Sequence, residues 1–134
     1  MKISNLIIAL IFVSCGNPIK EQEVDLCGSN KFYQKIEKVS FDDVEHIKKV
    51  NGRFVEIEGF FYYNFEDVAL YPTKSSNSTA DALWLNLKLP DTLLDKLSKK
   101  KVRVIGRLNI LQKGHLGGYL ATLDSTFCMK EVVH

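Results

Sequence analysis

The sequence predicts an all-β fold: a small closed barrel of five strands, with one or two short helices. Three observations carry that expectation. Apolar residues alternate at period two in several segments. The pattern apolar-x-apolar-x-Gly occurs twice, as "VEIEG" ending at Gly59 and "VRVIG" ending at Gly106. Helix start and stop signals are confined to two short windows near residues 40–52 and 90–100.

The first element is a helix preceding the barrel. Ser40 is the expected N-cap, Asp42 and Asp43 fall in the first turn, Lys48 and Lys49 in the last, and Gly52 stops it. Phe41, Val44 and Ile47 give it one apolar side. The first strand, 53–63, sets Val55, Ile57, Phe61 and Tyr63 against Phe54, Glu56, Glu58, Phe60 and Tyr62. A short strand at 68–72 follows, then a polar loop at 74–81. The third strand places Leu83, Leu85, Leu87 and Leu89 on one face, with Trp84, Asn86 and Lys88 opposite, and Pro90 ends it. "PDTLLDKLSKK" reads as a short helix. The fourth strand turns Val102, Val104, Leu108 and Ile110 inward. A turn at 112–118 leads to the last strand at 119–127. Glycine inside a strand marks a bulge or bend, and two bent strands supply the corners of a small barrel.

Three strands, a helix and two strands, with a glycine bend in the first and fourth, resemble the OB-fold. That fold is a five-stranded Greek-key barrel whose helix lies between strands three and four. The resemblance covers 52–127. "FE…ALY", "ALWL" and "KGHLG" are also similar to a group of poorly characterised bacterial OB-like envelope proteins. That likeness supports the fold and implies no activity.

The chain opens "MKISNLIIALIFVSCGN". A basic start, a short apolar run and a small residue before Cys15 form a secretory signal, and the run is too short for a lasting transmembrane helix. "FVSC" resembles the lipobox of bacterial lipoproteins, in which the cysteine is acylated and becomes the first mature residue. The expected organisation is a signal peptide at 1–14, a flexible tether at 15–31 and the barrel domain at 32–134. The expected location is the cell envelope, lipid-anchored by Cys15 to the outer membrane. Each buried methylene of the anchor would add about 0.8 kcal/mol.

Loss of Lys2 leaves 17 basic residues against 16 acidic ones, from the 18 and 16 of the whole chain. A near-neutral exported domain has no charge excess for nucleic acid. Cys27 and Cys128 are an even pair in an oxidising compartment and are expected to form a disulfide, which would close nearly the whole domain. Loop entropy then contributes on the order of 4–5 kcal/mol.

No phosphate loop, nucleophile elbow or zinc-hydrolase helix motif is present, so no catalytic residue, metal or cofactor is expected. Asp43 and His46 are explained by helix-end charge placement. Glu56 and Glu58 share a face, but Arg103 and Arg107 on the neighbouring strand offer them cross-strand pairs. Five of the six residues 60–65 are aromatic. Phe61 and Phe65 are expected in the core, while the Tyr62 hydroxyl suits a wet edge. The candidate ligand-binding residues are Tyr62, Tyr71, Trp84, Lys88 and His115. Trp84 points away from the leucine face, and OB-folds bind ligands around strands two and three. The alternative for Trp84 is cover by the 74–81 loop or the N-terminal helix. The leading expectation is a non-catalytic binding module for an envelope protein or glycan. The second is an inhibitor or immunity protein that meets a cell-wall enzyme through the 74–81 or 112–118 loop.

Overall fold

A computed structural model describes Cys27 and residues 35–133. The expected signal peptide 1–14, the lipid-bearing Cys15 and, apart from Cys27, the tether 15–31 lie outside the described residues. The elements are β1 (Glu37–Lys38), α1 (Val44–Lys49), β2 (Phe54–Asn64), β3 (Asp67–Tyr71), β4 (Leu83–Leu85), α2 (Asp91–Leu97), β5 (Lys101–Asn109), β6 (Ala121–Leu123) and β7 (Cys128–Glu131). Single helical turns stand at Thr79–Asp81 and His115–Gly117.

Five strands close into a ring. β2 pairs with β3, β3 with β4, β4 with β6, β6 with β5, and β5 returns to β2. β4 and β6 run parallel and the other ring pairs are antiparallel. With α2 between the third and fourth ring strands, this is the OB-like Greek-key barrel expected from the sequence. β2 closes the ring because it is shared. Its residues 54–60 pair with β5 and 60–64 with β3. The changeover falls beside Gly59. The β2–β5 register passes Gly59 without a skipped residue, so there is no bulge there. Gly59 is needed for close approach instead: a Cβ would lie 2.7 Å from Leu70 Cγ and 2.9 Å from Phe41 Cε2.

The inward positions are those the alternation assigns. Val55, Ile57, Phe61, Leu83, Leu85, Val102, Val104 and Leu108 are buried, and Leu94 and Leu97 of α2 join them. Burying each such side chain contributes roughly 1.5–3 kcal/mol.

Several expectations need correction. Phe65 is 99% exposed, because Asn64 and Asp67 already pair and Phe65 sits at the tip of the two-residue turn between them. The N-cap of α1 is Asp43, whose carboxylate accepts the His46 backbone N–H at 3.0 Å. That cap accounts for the Asp43–His46 spacing. The third ring strand stops at Leu85, although Leu87 and Leu89 still pack on the core. The expected strand at 119–127 is instead β6, a turn, and a separate β7 that pairs with β5. β1, which pairs parallel with β2, has too short a pattern to be seen in the sequence.

A candidate binding shelf on the outer barrel face

Cross-strand register lines up Tyr62, Ala69, Trp84 and Thr122 in one row on β2, β3, β4 and β6. The inner neighbours of these residues fill the core, so the row faces outward. Asp67 and Tyr71 lie on the same face of β3, two positions either side of Ala69. The loop between β5 and β6 folds onto this row and adds His115 and Tyr119.

Aromatic contacts run along the shelf. Tyr62 meets Tyr71 edge-on, with ring centroids 5.2 Å apart. Tyr119 meets Trp84 edge-on at 5.2 Å. His115 stacks over Trp84 at 6.2 Å, its plane 27° away. Such pairs add about 0.5–1.5 kcal/mol each beyond area burial. Ala69 and Ala82 are fully buried beneath the rings.

Asp67 clamps the shelf. Its Oδ1 accepts the Tyr119 hydroxyl at 2.7 Å and its Oδ2 accepts the Tyr71 hydroxyl at 2.8 Å. Burial, and then the hydrogen bond to Asp67, push both phenols far above the ordinary value of 10. Phenols are donors at neutral pH, and two of them on one carboxylate make the triad a fixed polar clamp. The Tyr62 hydroxyl donates to the Lys74 carbonyl and ties the 74–81 loop to the shelf edge.

The covering loop is held at several points. Gly114 donates its N–H to Thr122 Oγ1 at 3.1 Å, Tyr119 donates its N–H to the Lys113 carbonyl at 3.0 Å, and Lys113 Nζ reaches the Leu120 carbonyl at 3.1 Å. Gly114 has φ +66°, and a Cβ there would lie 2.7 Å from Trp84 Cβ and 2.6 Å from Tyr119 Cδ2. Only glycine lets the backbone lie flat against the indole.

The five candidate residues are thus only partly brought together. Tyr62, Tyr71, Trp84 and His115 share the shelf. Tyr71 is buried rather than presented, because Tyr62 and the clamp enclose it. Trp84 is half-buried and His115 exposed. His115, Gly114 and Tyr119 of the 113–119 loop lie against Trp84. Lys88 is elsewhere, on the wall of a cavity of about 360 Å³ beyond the end of β4. Asp67 and Tyr119 carry no signal in the sequence. The "FE" turn and the short run before β6 have no period that joins residues 52 positions apart.

The carboxylates of β2 are held by ion pairs. Arg103 binds Glu58 at 2.8 Å directly across the strands. Arg107 does not reach Glu56, because the register sets it opposite Phe54, and it pairs with Asp124 at 2.9 Å. Glu56 meets Lys38 of β1 at 3.9 Å. Among the described residues, no group of three or more His, Cys, Asp or Glu side chains is placed to hold a metal ion. Cys27 and Cys128 are bonded across 101 residues of sequence.

No family model matches this chain, and neither does any curated protein or solved structure.

Proposed function

We propose that the chain is a non-catalytic binding module of the bacterial cell envelope, lipid-anchored through Cys15 to the outer membrane, that recognises a protein or glycan partner. The Trp84–His115 stack carries the reading. A half-buried indole and an exposed imidazole stand on a support that is already ordered, so binding costs little conformational entropy. Two protonated phenols locked onto one carboxylate serve rigidity better than proton transfer. The Cys27–Cys128 bridge is consistent with an oxidising compartment. Crosslinking and pull-down of the lipidated protein from intact cells tests the proposal, comparing wild type with Trp84→Ala and His115→Ala. A partner captured by wild type and lost in both variants, with unchanged thermal melting of His115→Ala, supports the shelf. The same partner set from all three proteins rejects it.

A second reading has one observation in its favour. Leu116, at the tip of the β5–β6 loop, is 91% exposed and has φ +58°, and Leu111 on the same loop is 84% exposed. Left-handed backbone at a non-glycine residue costs about 1–2 kcal/mol. Apolar side chains on a pinned loop suit an inhibitor or immunity protein that inserts into the cleft of a cell-wall enzyme. Inhibition of a lysozyme-type enzyme, lost on Leu116→Ser while the shelf stays intact, would favour this reading. No inhibition by the intact protein would reject it.

A further inference from the structure

The second site lies at the other end of the β4–β6 pair. These are adjacent parallel strands, with Leu83 opposite Ala121, Trp84 opposite Thr122 and Leu85 opposite Leu123. Parallel neighbours leave the sheet at the same edge. Past Leu85 the chain turns toward α2, and past Leu123 it turns toward β7. The Asn86 N–H still donates to the Leu123 carbonyl at 3.0 Å. Beyond that bond the two segments diverge, and the open crevice between 86–89 and 124–129 has a volume of about 360 Å³. That is near the lower end of small-molecule sites.

The crevice has an apolar floor and a polar rim. Leu87, Leu89, Phe127 and Met129 form the floor. Leu87 and Leu89 are only partly buried and Phe127 is 39% exposed, so apolar surface remains for a ligand to cover. Lys88 and Ser125 stand exposed on the rim. The rim also contains Asp124, but its charge is spoken for. Oδ1 accepts Arg107 Nε at 2.9 Å, and Oδ2 accepts Arg107 Nη2 at 3.3 Å and Asn109 Nδ2 at 3.4 Å. Lys88, the one cation of the lining, forms no ion pair among the described residues. A neutralised acid and an unpaired ammonium above an apolar floor favour an anion with an apolar body.

We propose that this crevice binds a free monocarboxylate with a short apolar tail, its carboxylate on Lys88 and its tail on Leu87, Leu89 and Phe127. The small volume favours a short free molecule over an extended chain, which needs a longer groove. This site and its ligand are independent of the shelf and of any partner that the shelf takes.

Amide-resonance mapping tests it. The full chain carrying Cys15→Ser, which can take no lipid, is titrated with octanoate, octylamine and the tripeptide Gly-Gly-Leu. Octanoate should shift the amides of Lys88, Leu89, Ser125, Thr126 and Phe127 saturably, and leave those of Trp84 and Tyr119 in place. Lys88→Gln should weaken octanoate about tenfold without moving the rest of the spectrum, as loss of one charged contact does. Octylamine should produce no saturable shift. Equal responses to octanoate and octylamine, or an unchanged affinity in Lys88→Gln, would overturn the charge assignment and the proposal with it. Tighter binding of Gly-Gly-Leu than of octanoate would overturn it in favour of a chain end.

Discussion

The β4–β6 pair carries a filled surface at one end and an open one at the other. Before β6, the 113–119 loop folds back on the outer face. Tyr119 and Gly114 fill the space over Trp84, and Asp67 fixes the Tyr119 hydroxyl together with that of Tyr71. After β6, the chain does not fold back, and about 360 Å³ stays open between two diverging segments. The same parallel pairing underlies both. The difference lies in the chain just beyond each strand end. A loop with glycine at its closest point can press onto an indole. A turn whose acid is tied sideways to Arg107 and Asn109 is held away from its neighbour. The shelf is therefore an already ordered surface, which suits the proposed partner, and the crevice an open volume, which suits the proposed small molecule.

The bridge between Cys27 and Cys128 sharpens that comparison most, because Cys128 lines the crevice and not the shelf. Replacing both cysteines by serine releases a loop with a sequence separation of 101 and should lower unfolding free energy by up to about 5 kcal/mol. Hydrogen exchange should then report earlier opening at 125–129 than at Trp84 and Tyr119. If both regions open together, they form one cooperative unit, and the distinction between them is static only.

Gly114→Ala acts on the shelf alone. The added Cβ clashes with Trp84 and Tyr119 at a positive φ. Overpacking and backbone strain together should cost about 3 kcal/mol in chemical denaturation. Gly117 is the internal control. Its φ is +70°, but a Cβ there meets nothing within 4 Å, so Gly117→Ala should cost only about 1 kcal/mol. Octanoate shifts at Ser125 should persist in both variants. Equal losses at the two glycines would mean that contact with the indole contributes little, and that the loop's hydrogen bonds alone hold it down.

The barrel is legible in the sequence because its strands alternate. Val55, Ile57, Phe61, Val102, Val104 and Leu108 are all core, and Gly59 and Gly106 mark places where other segments of the chain approach closely. Local reading fails where the determinant is non-local. Phe65 looks like core by composition, yet the pairing of Asn64 with Asp67 puts it in a turn. A shared face matches Arg107 to Glu56. Register decides the partner, and a face argument does not supply register. The site is half legible. Trp84 stands out as the single tryptophan on a polar face. Asp67 and Tyr119 act only through each other, and nothing local in sequence couples them. Lys88 lies close to Trp84 in sequence, but β4 ends after Leu85 and the chain carries the lysine into the crevice.

The smallest effects separate the two regions by pH. Tyr71 and Tyr119 have folded-state values raised by burial and by Asp67 above the ordinary 10. Above pH 10 the unfolded chain loses these protons while the folded chain keeps them. The shelf's contribution is thus complete below that pH and declines as pH rises toward the folded values, by up to about 1.4 kcal/mol per pH unit for each phenol. Asp124 has the opposite sign. Burial raises its value, but the hydrogen bonds from Arg107 and Asn109 and the Arg107 charge outweigh burial and hold it below the ordinary 3.8. Its contribution is complete above that value and is lost as pH falls through the lower folded one. Denaturation series in alkali and in acid should therefore respond to different variants. Tyr71→Phe should flatten the alkaline slope and leave the acid limb alone. Arg107→Gln should move the acid limb and leave the alkaline slope alone. If Tyr71→Phe leaves the alkaline slope unchanged, the Tyr71 phenol ionises alike in the folded and unfolded chain, and its bond to Asp67 does not hold the shelf.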